Sequence, residues 1–243
     1  MIRLEYVSES LKLQTRLTVA HPFDSSEGPR TVRGVLVLLH GMLDGCDTWL
    51  TQTRVAREAA CRGVLVLMPD GQRSFWRDMV HGGDYQRMLS EELPKLAAEV
   101  FGVAHGRDSW MIAGNSMGGY GALHTALGTP GIYSAAGAFS PLTNPELVTS
   151  HVPGEYLIPG EMASVFPDDF NGSELRDMAC DGDIPVDLTL ACGRADFLYG
   201  SVVQIHNQML EADRPHEYWV EDNAGHDWDF WDRCITRFLR SRF

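Results

Sequence analysis

Between Trp110 and Leu127 the chain has little freedom in how it can fold. The apolar run Trp110-Met-Ile-Ala113 stops at Gly114, then come Asn115, Ser116, Met117, Gly118 and Gly119, and Tyr120-Gly-Ala-Leu-His-Thr-Ala-Leu127 reads as a helix. A short buried strand, a very tight turn and a helix, with a serine at the apex, form the G-x-S-x-G nucleophile-elbow pattern. The flanking glycines have a steric reason: without a Cβ they let the helix lie close against the sheet. Such a turn exposes the Ser116 hydroxyl. It also aims the Met117 N–H, at the helix start, toward the place where an oxyanion would develop. Taken alone, the pattern also fits a Gly/Ser-rich turn with a solvated serine. A base, an acid and a second oxyanion donor elsewhere in the chain are what separate the two readings.

The rest of the chain is read for strands that could carry those groups. Residues 3–19 alternate apolar and polar, as two antiparallel strands joined near Ser8-Glu-Ser10 would. Residues 21–30, rich in Pro, Ser and Gly, predict a loop. Gly34-Val-Leu-Val-Leu-Leu39 and Val64-Leu-Val-Leu-Met68 are continuous apolar runs, the mark of strands covered on both faces. Further strands are expected at 110–113, 133–139, 187–192 and 217–220. Helices are expected at 48–62, at 85–102 with Pro94 as a kink, and at 199–212 and 228–239. Strands alternating with helices imply right-handed βαβ units and an α/β fold. That fold has a mostly parallel central sheet, helices on both faces and antiparallel N-terminal edge strands. With 243 residues, 44% of them hydrophobic, one domain over 1–243 is expected. Residues 142–184, punctuated by prolines and acidic toward their end, read as an insertion over the active-site edge, either a lid or an ordinary surface excursion.

In open α/β sheets chemistry gathers beyond the carboxyl ends of the strands. The residues found there are His40-Gly-Met42, Asp70, Ser116, Gly193-Arg-Ala-Asp196 and Glu221-Asp-Asn-Ala-Gly-His226. Serine, then aspartate, then histidine is the chain order used by α/β-hydrolases. His226 is the candidate base for Ser116, and Asp196 the residue that would hold its tautomer. The backbone N–H groups of Met42 and Met117 are the candidate oxyanion donors. Asp187 opens a strand and so sits at the wrong end of the sheet. His40 is expected to bond loop backbone. His216 lacks the second histidine of H-E-x-x-H, and neither G-x-G-x-x-G nor a P-loop is present, so no metal and no cofactor are expected.

Several function classes recede on composition. A net charge of −13 disfavours nucleic acid or an anionic membrane as partner. Five widely spaced cysteines without C-x-x-C support neither a disulfide framework nor a zinc site. With no signal-peptide pattern at Met1-Ile-Arg-Leu-Glu and no membrane-length apolar run, a cytoplasmic setting is expected. The expected partner is a small-molecule ester, and a homo-oligomer stays open.

Six motifs in order, from about residue 34 to the C-terminus, resemble the esterase D-type family of α/β-hydrolases. They are His40-Gly-Met-Leu-Asp-Gly-Cys-Asp-Thr-Trp-Leu50, Met68-Pro-Asp-Gly-Gln-Arg-Ser-Phe-Trp76, Glu91-Glu-Leu-Pro94, Gly114-Asn-Ser-Met-Gly-Gly-Tyr-Gly-Ala-Leu123, Cys192-Gly-Arg-Ala-Asp-Phe-Leu-Tyr199 and Gly225-His-Asp-Trp-Asp-Phe-Trp231. The flavour is most similar to tributyrin esterases, with S-formylglutathione hydrolases, acetyl xylan esterases and feruloyl esterases as relatives. The resemblance implies a serine carboxylesterase for short acyl chains, with Ser116, Asp196 and His226 catalytic and Met42 and Met117 as the oxyanion hole. Two departures stand out. Residues 142–184 do not follow the family pattern. The loop holding Asp44, Cys46 and Asp47 is also more acidic than in tributyrin esterases, which often have Asn there. Cys46 keeps an S-formylglutathione thioesterase reading in view, and a catalytically silent binding protein is the reading from a different class. The aromatics Trp49, Phe75, Trp76 and Trp228 could line an ester cleft or pack in the core.

Overall fold

The structure of the protein, a computed structural model, describes residues 1–24, 28–29, 31–170 and 172–243. Residues 25–27 and 30 of the expected loop at 21–30, and residue 171 of the 142–184 segment, lie outside the described residues. Eight strands make the main sheet: β1 (Ile2–Val7), β2 (Gln14–Ala20), β3 (Gly34–Leu39), β4 (Val64–Pro69), β5 (Trp110–Asn115), β6 (Ala135–Phe139), β7 (Asp187–Gly193) and β8 (Glu217–Glu221). Their spatial order is β1-β2-β4-β3-β5-β6-β7-β8. The two N-terminal strands run antiparallel to each other, and β2 is antiparallel to β4, while β3 through β8 are mutually parallel. This is the expected α/β-hydrolase arrangement.

Burial on both faces explains the unbroken apolar runs. In β3, Val35, Val37 and Leu39 belong to one core cluster, while Leu36 and Leu38 belong to the other. The first cluster is closed by helix residues Leu89, Leu93, Leu123, Ile205 and Met209. The second is closed by Val55, Ala59 and the C-terminal helix Trp228–Arg242, through Phe230, Ile235 and Phe238. Strand β6 is small from Ala135 to Ala138, where that helix lies tight on it: a Cβ at Gly137 would come 3.0 Å from the Phe238 ring.

Two expected helices differ in detail. The single helix over 48–62 is two, Thr48–Gln52 and Val55–Ala60. Thr53 is extended there (φ −136°, ψ 170°), and Asp232 takes hold of both the Arg54 backbone N–H at 2.8 Å and its guanidinium. A tertiary partner thus replaces the helical one. The helix over 85–101 is continuous, and Pro94 leaves its mark as a π turn over Met88–Glu92. Pro94 cannot donate to the carbonyl four residues back, and the widened turn makes room for its ring.

The segment between β6 and β7 carries short helices, Glu161–Val165 and Glu174–Cys180 among them. It is tied to the body by side chains from the irregular stretch after β4. Arg73 bonds Glu161, and Arg77 bonds Glu174 at 2.6 Å. Phe166 packs edge-on against Phe75 with ring centroids 5.2 Å apart.

Candidate active site

Ser116 stands between β5 and the helix Met117–Gly128 with φ +54° and ψ −118°. For a residue with a side chain this is a sparsely populated conformation costing about 1–3 kcal/mol, and the surroundings must hold it. Three backbone bonds do so. The Ser116 N–H donates to the Phe139 carbonyl of β6, and the Ser116 carbonyl accepts from Leu142 and Tyr120. Gly114 and Gly118 are the steric partners of this turn. A Cβ on Gly114 would lie 2.5 Å from Gly118 backbone, and one on Gly118 would lie 2.4 Å from the Leu39 carbonyl oxygen. The helix start therefore rests directly on the ends of β3 and β5.

The loops after β7 and β8 bring two more groups together. His226 Nδ1 lies 2.9 Å from Asp196 Oδ2 and 3.1 Å from Oδ1. The carboxylate accepts only, so the imidazole proton sits on Nδ1 and Nε2 is left with its lone pair. The Asp196 side chain is fully buried. Burial pushes its carboxyl up, but the bond to His226, the His226 charge, the Ser140 hydroxyl and the Leu198 N–H outweigh it, and the carboxyl ends below its ordinary value. The imidazole is fixed from its flanks by Phe197 (ring centroids 4.5 Å apart) and Trp231 (4.9 Å, T-shaped).

Ser116 and His226 line one cavity of about 290 Å³. Its wall also contains Gly41, Met42 and Asp44 from the turn after β3, and Val152 and Pro153 from the segment after β6. Met117 opens its helix, so its N–H has no partner within that helix, and the positive end of the helix dipole lies at Ser116. The other residues weighed in the sequence fall outside this constellation. His40 has both ring nitrogens engaged, Nδ1 at 2.7 Å from the Gly41 carbonyl and Nε2 accepting from the Gly71 N–H at 2.9 Å. Asp70 pairs with Arg16 at 2.7 Å. Asp187 sits at the opposite end of the sheet and pairs with Arg242. Of the four aromatics, Trp49, Phe75 and Trp76 are core residues, and Trp228 faces the cavity. Phe197, Val152 and Pro153 had no sequence signal of their own. Phe197 could have been suspected only as the neighbour of Asp196.

A serine on a strained elbow thus shares a cavity with a histidine held by a buried aspartate. A family model described as "Putative esterase" matches residues 8–240. The chain belongs to that family. The esterase is 27% identical to an acetyl esterase of Caldicellulosiruptor saccharolyticus, over 97% of its own chain and 95% of the relative's. Among solved structures it is similar to the substrate-bound fluorophosphonate-binding serine hydrolase F of Staphylococcus aureus, with 26% identity, a TM-score of 0.85, and coverage of 99% of this chain and 97% of the other. It is also similar to an S-formylglutathione hydrolase of the same organism, at 26% identity and a TM-score of 0.82, covering 99% and 97% of the two chains. A ferulic acid esterase at 22% identity and a TM-score of 0.80 shares the fold. Family and neighbours make the protein a serine ester hydrolase. No helix among the described residues is long and apolar enough to cross a membrane, and all five cysteines are free.

Proposed function

We propose that the protein hydrolyses short-chain acyl esters through a Ser116–His226–Asp196 triad and an acyl-enzyme. His226 Nε2 takes the Ser116 proton as Oγ attacks the ester carbonyl. The Met42 and Met117 N–H groups receive the negative charge that builds on the carbonyl oxygen. Collapse expels the alcohol, which leaves with the proton held on Nε2. Water, deprotonated by the same nitrogen, then attacks the acyl-enzyme and frees the acid and Ser116. Asp196 keeps the imidazole in the tautomer that can do this and stabilises the imidazolium formed on the way. The observation that carries the reading is the 2.9 Å contact from His226 Nδ1 to Asp196, made in the wall of the cavity that Ser116 shares.

A short acyl chain suits a cavity of about 290 Å³ walled by Met42, Val152, Pro153 and Trp231, and the related acetyl esterase acts on a short acyl group by its name. The S-formylglutathione thioesterase reading leans on Cys46 and on the similar staphylococcal hydrolase. Cys46 is buried and does not line the cavity. Among the described residues, neither Lys nor Arg lines the cavity to receive the carboxylates of glutathione. The cavity therefore suits an oxygen ester better than a glutathione thioester. Ser116→Ala is expected to lower kcat on p-nitrophenyl butyrate by about 10⁴ to 10⁶-fold and to abolish labelling by a fluorophosphonate probe. Turnover persisting in that variant near the wild-type rate overturns the proposal.

A further inference from the structure

The cavity holding Ser116 and His226 is electrostatically one-sided. Among the described residues, Asp44 is its one ionisable wall residue apart from His226, and no Lys or Arg side chain lines it. The turn after β3 brings Asp44 there, its N–H bonded to the Gly41 carbonyl at 3.2 Å. Gly41 matters to this placement. A Cβ on it would lie 2.9 Å from Asp44 Oδ2 and 3.1 Å from Asn115 Nδ2, so the bare backbone lets the carboxylate settle beside the elbow. Asp44 has no ion-pair partner among the described residues. Burial holds its carboxyl above the ordinary value, against the opposing pull of the His40 ring, the Asn115 side chain, the Gly41 N–H and, least, the His226 ring.

The wall around His226 is aromatic. Phe197 and Trp231 flank the imidazole, and Trp228 stands edge-to-face on Trp231 with ring centroids 4.9 Å apart. A leaving alcohol that takes its proton from His226 does so beside these rings. Indole faces attract cations through the ring quadrupole, most strongly where water is excluded. A carboxylate without a cationic partner does the same and repels anions.

Resting on the triad reading above, we propose that the site selects esters whose alcohol part carries a positive charge, an ammonium or quaternary ammonium group, over neutral isosteres and against anionic ones. Asp44 supplies the charge and Trp228 with Trp231 the aromatic surface. Hydrolysis is otherwise as described: water adds, the acid is released from Ser116, and the cationic alcohol leaves with one proton.

Three thioesters of acetic acid test this, with the released thiol read colorimetrically at fixed ionic strength: acetylthiocholine, its neutral carbon isostere 3,3-dimethylbutyl thioacetate, and anionic S-acetyl-3-mercaptopropionate. The expected kcat/KM for the cation is about tenfold above the neutral isostere, with the anion about tenfold below it. Asp44→Asn, nearly isosteric, is expected to shrink the cation-to-neutral ratio several-fold; a ratio cancels any effect of the variant on the shared chemistry. Equal rates on the cation and its isostere, or a ratio unmoved in Asp44→Asn, overturn the selectivity while leaving ester hydrolysis intact. Loss of turnover on all three and on p-nitrophenyl butyrate instead overturns the triad reading. Tetramethylammonium binding, followed by tryptophan fluorescence, then decides the pocket: saturable binding weakened in Asp44→Asn supports its cation preference, and no binding overturns it.

Discussion

Asp196 shows how one residue can be both buried and ionised. Desolvation alone would raise its carboxyl, yet the donors converging on it leave it below the ordinary carboxylate value. With a folded pKa below the unfolded one, the linked stabilisation is complete above the ordinary value and is lost as the pH falls through the depressed one. Across the range where an imidazole titrates, His226 therefore faces an anion. Asp196→Asn keeps the shape and removes that anion, and its amide can present a donor to Nδ1 where an acceptor was. We expect kcat on p-nitrophenyl butyrate to fall by about 10⁴-fold with the fold retained by circular dichroism; a loss of less than tenfold would remove Asp196 from the triad. His40 illustrates the opposite case. The Gly71 N–H occupies Nε2 and the Gly41 carbonyl occupies Nδ1, so the ring fastens the turn after β3 to the loop after β4.

At the scale of elements, the elbow works because a helix begins where two strands end. Gly118 is the position with least tolerance, since a Cβ there would meet the Leu39 and His40 carbonyl oxygens at 2.4 and 2.7 Å. Both are backbone atoms, one at the end of β3 and one in the turn that carries Met42, so neither can swing aside. Gly118→Ala is expected to cost about 1–3 kcal/mol or more in stability, seen as a lowered Tm, and to reduce kcat by displacing the Met117 N–H. Gly131→Ala is the matched control, because a Cβ there meets nothing within 4 Å. Equal melting temperatures for the two variants would contradict the packing argument. The broken helix at Thr53 and the π turn ahead of Pro94 belong to the same scale. In each, a local pattern that favours helix yields to one specific competitor, Asp232 in the first and a proline ring in the second.

Across the whole molecule, the segment between β6 and β7 is clamped by a cluster of groups far apart in sequence. Arg77 Nη1 meets the Tyr120 hydroxyl at 2.8 Å, His124 Nε2 at 2.8 Å and Glu174 Oε2 at 2.6 Å, while its guanidinium lies 5.3 Å from the Phe166 ring centre. The bond to His124, with Arg77 beside it, lowers the Glu174 carboxyl to about 2 against the opposing effect of burial. Stability from this group is thus present above the ordinary glutamate value and lost as the pH falls toward about 2. Glu174→Gln is expected to melt below the wild type at pH 7, with the gap narrowing as the pH drops below about 4. Hydrogen exchange should rise first in Glu174–Cys180. A gap that does not change with pH would mean that Glu174 acts through packing instead of charge.

Much of the fold and the core of the candidate site were legible in the chain itself. Strands covered on both faces appear as unbroken apolar runs, and the close approach of helix to sheet demands glycines at 114 and 118. Ser116, Asp196 and His226 each follow a parallel strand, the last of them the half-buried edge strand β8, so their gathering at one sheet end follows from parallel strand direction. Tertiary structure alone decided the walls. Val152, Pro153 and Phe197 reach the cavity from loops with no periodicity, and Arg77 finds Glu174 across 97 positions. The reason is physical. Periodicity and backbone sterics act over a few residues and are written locally, whereas a loop's course is set by whichever distant surface it packs against.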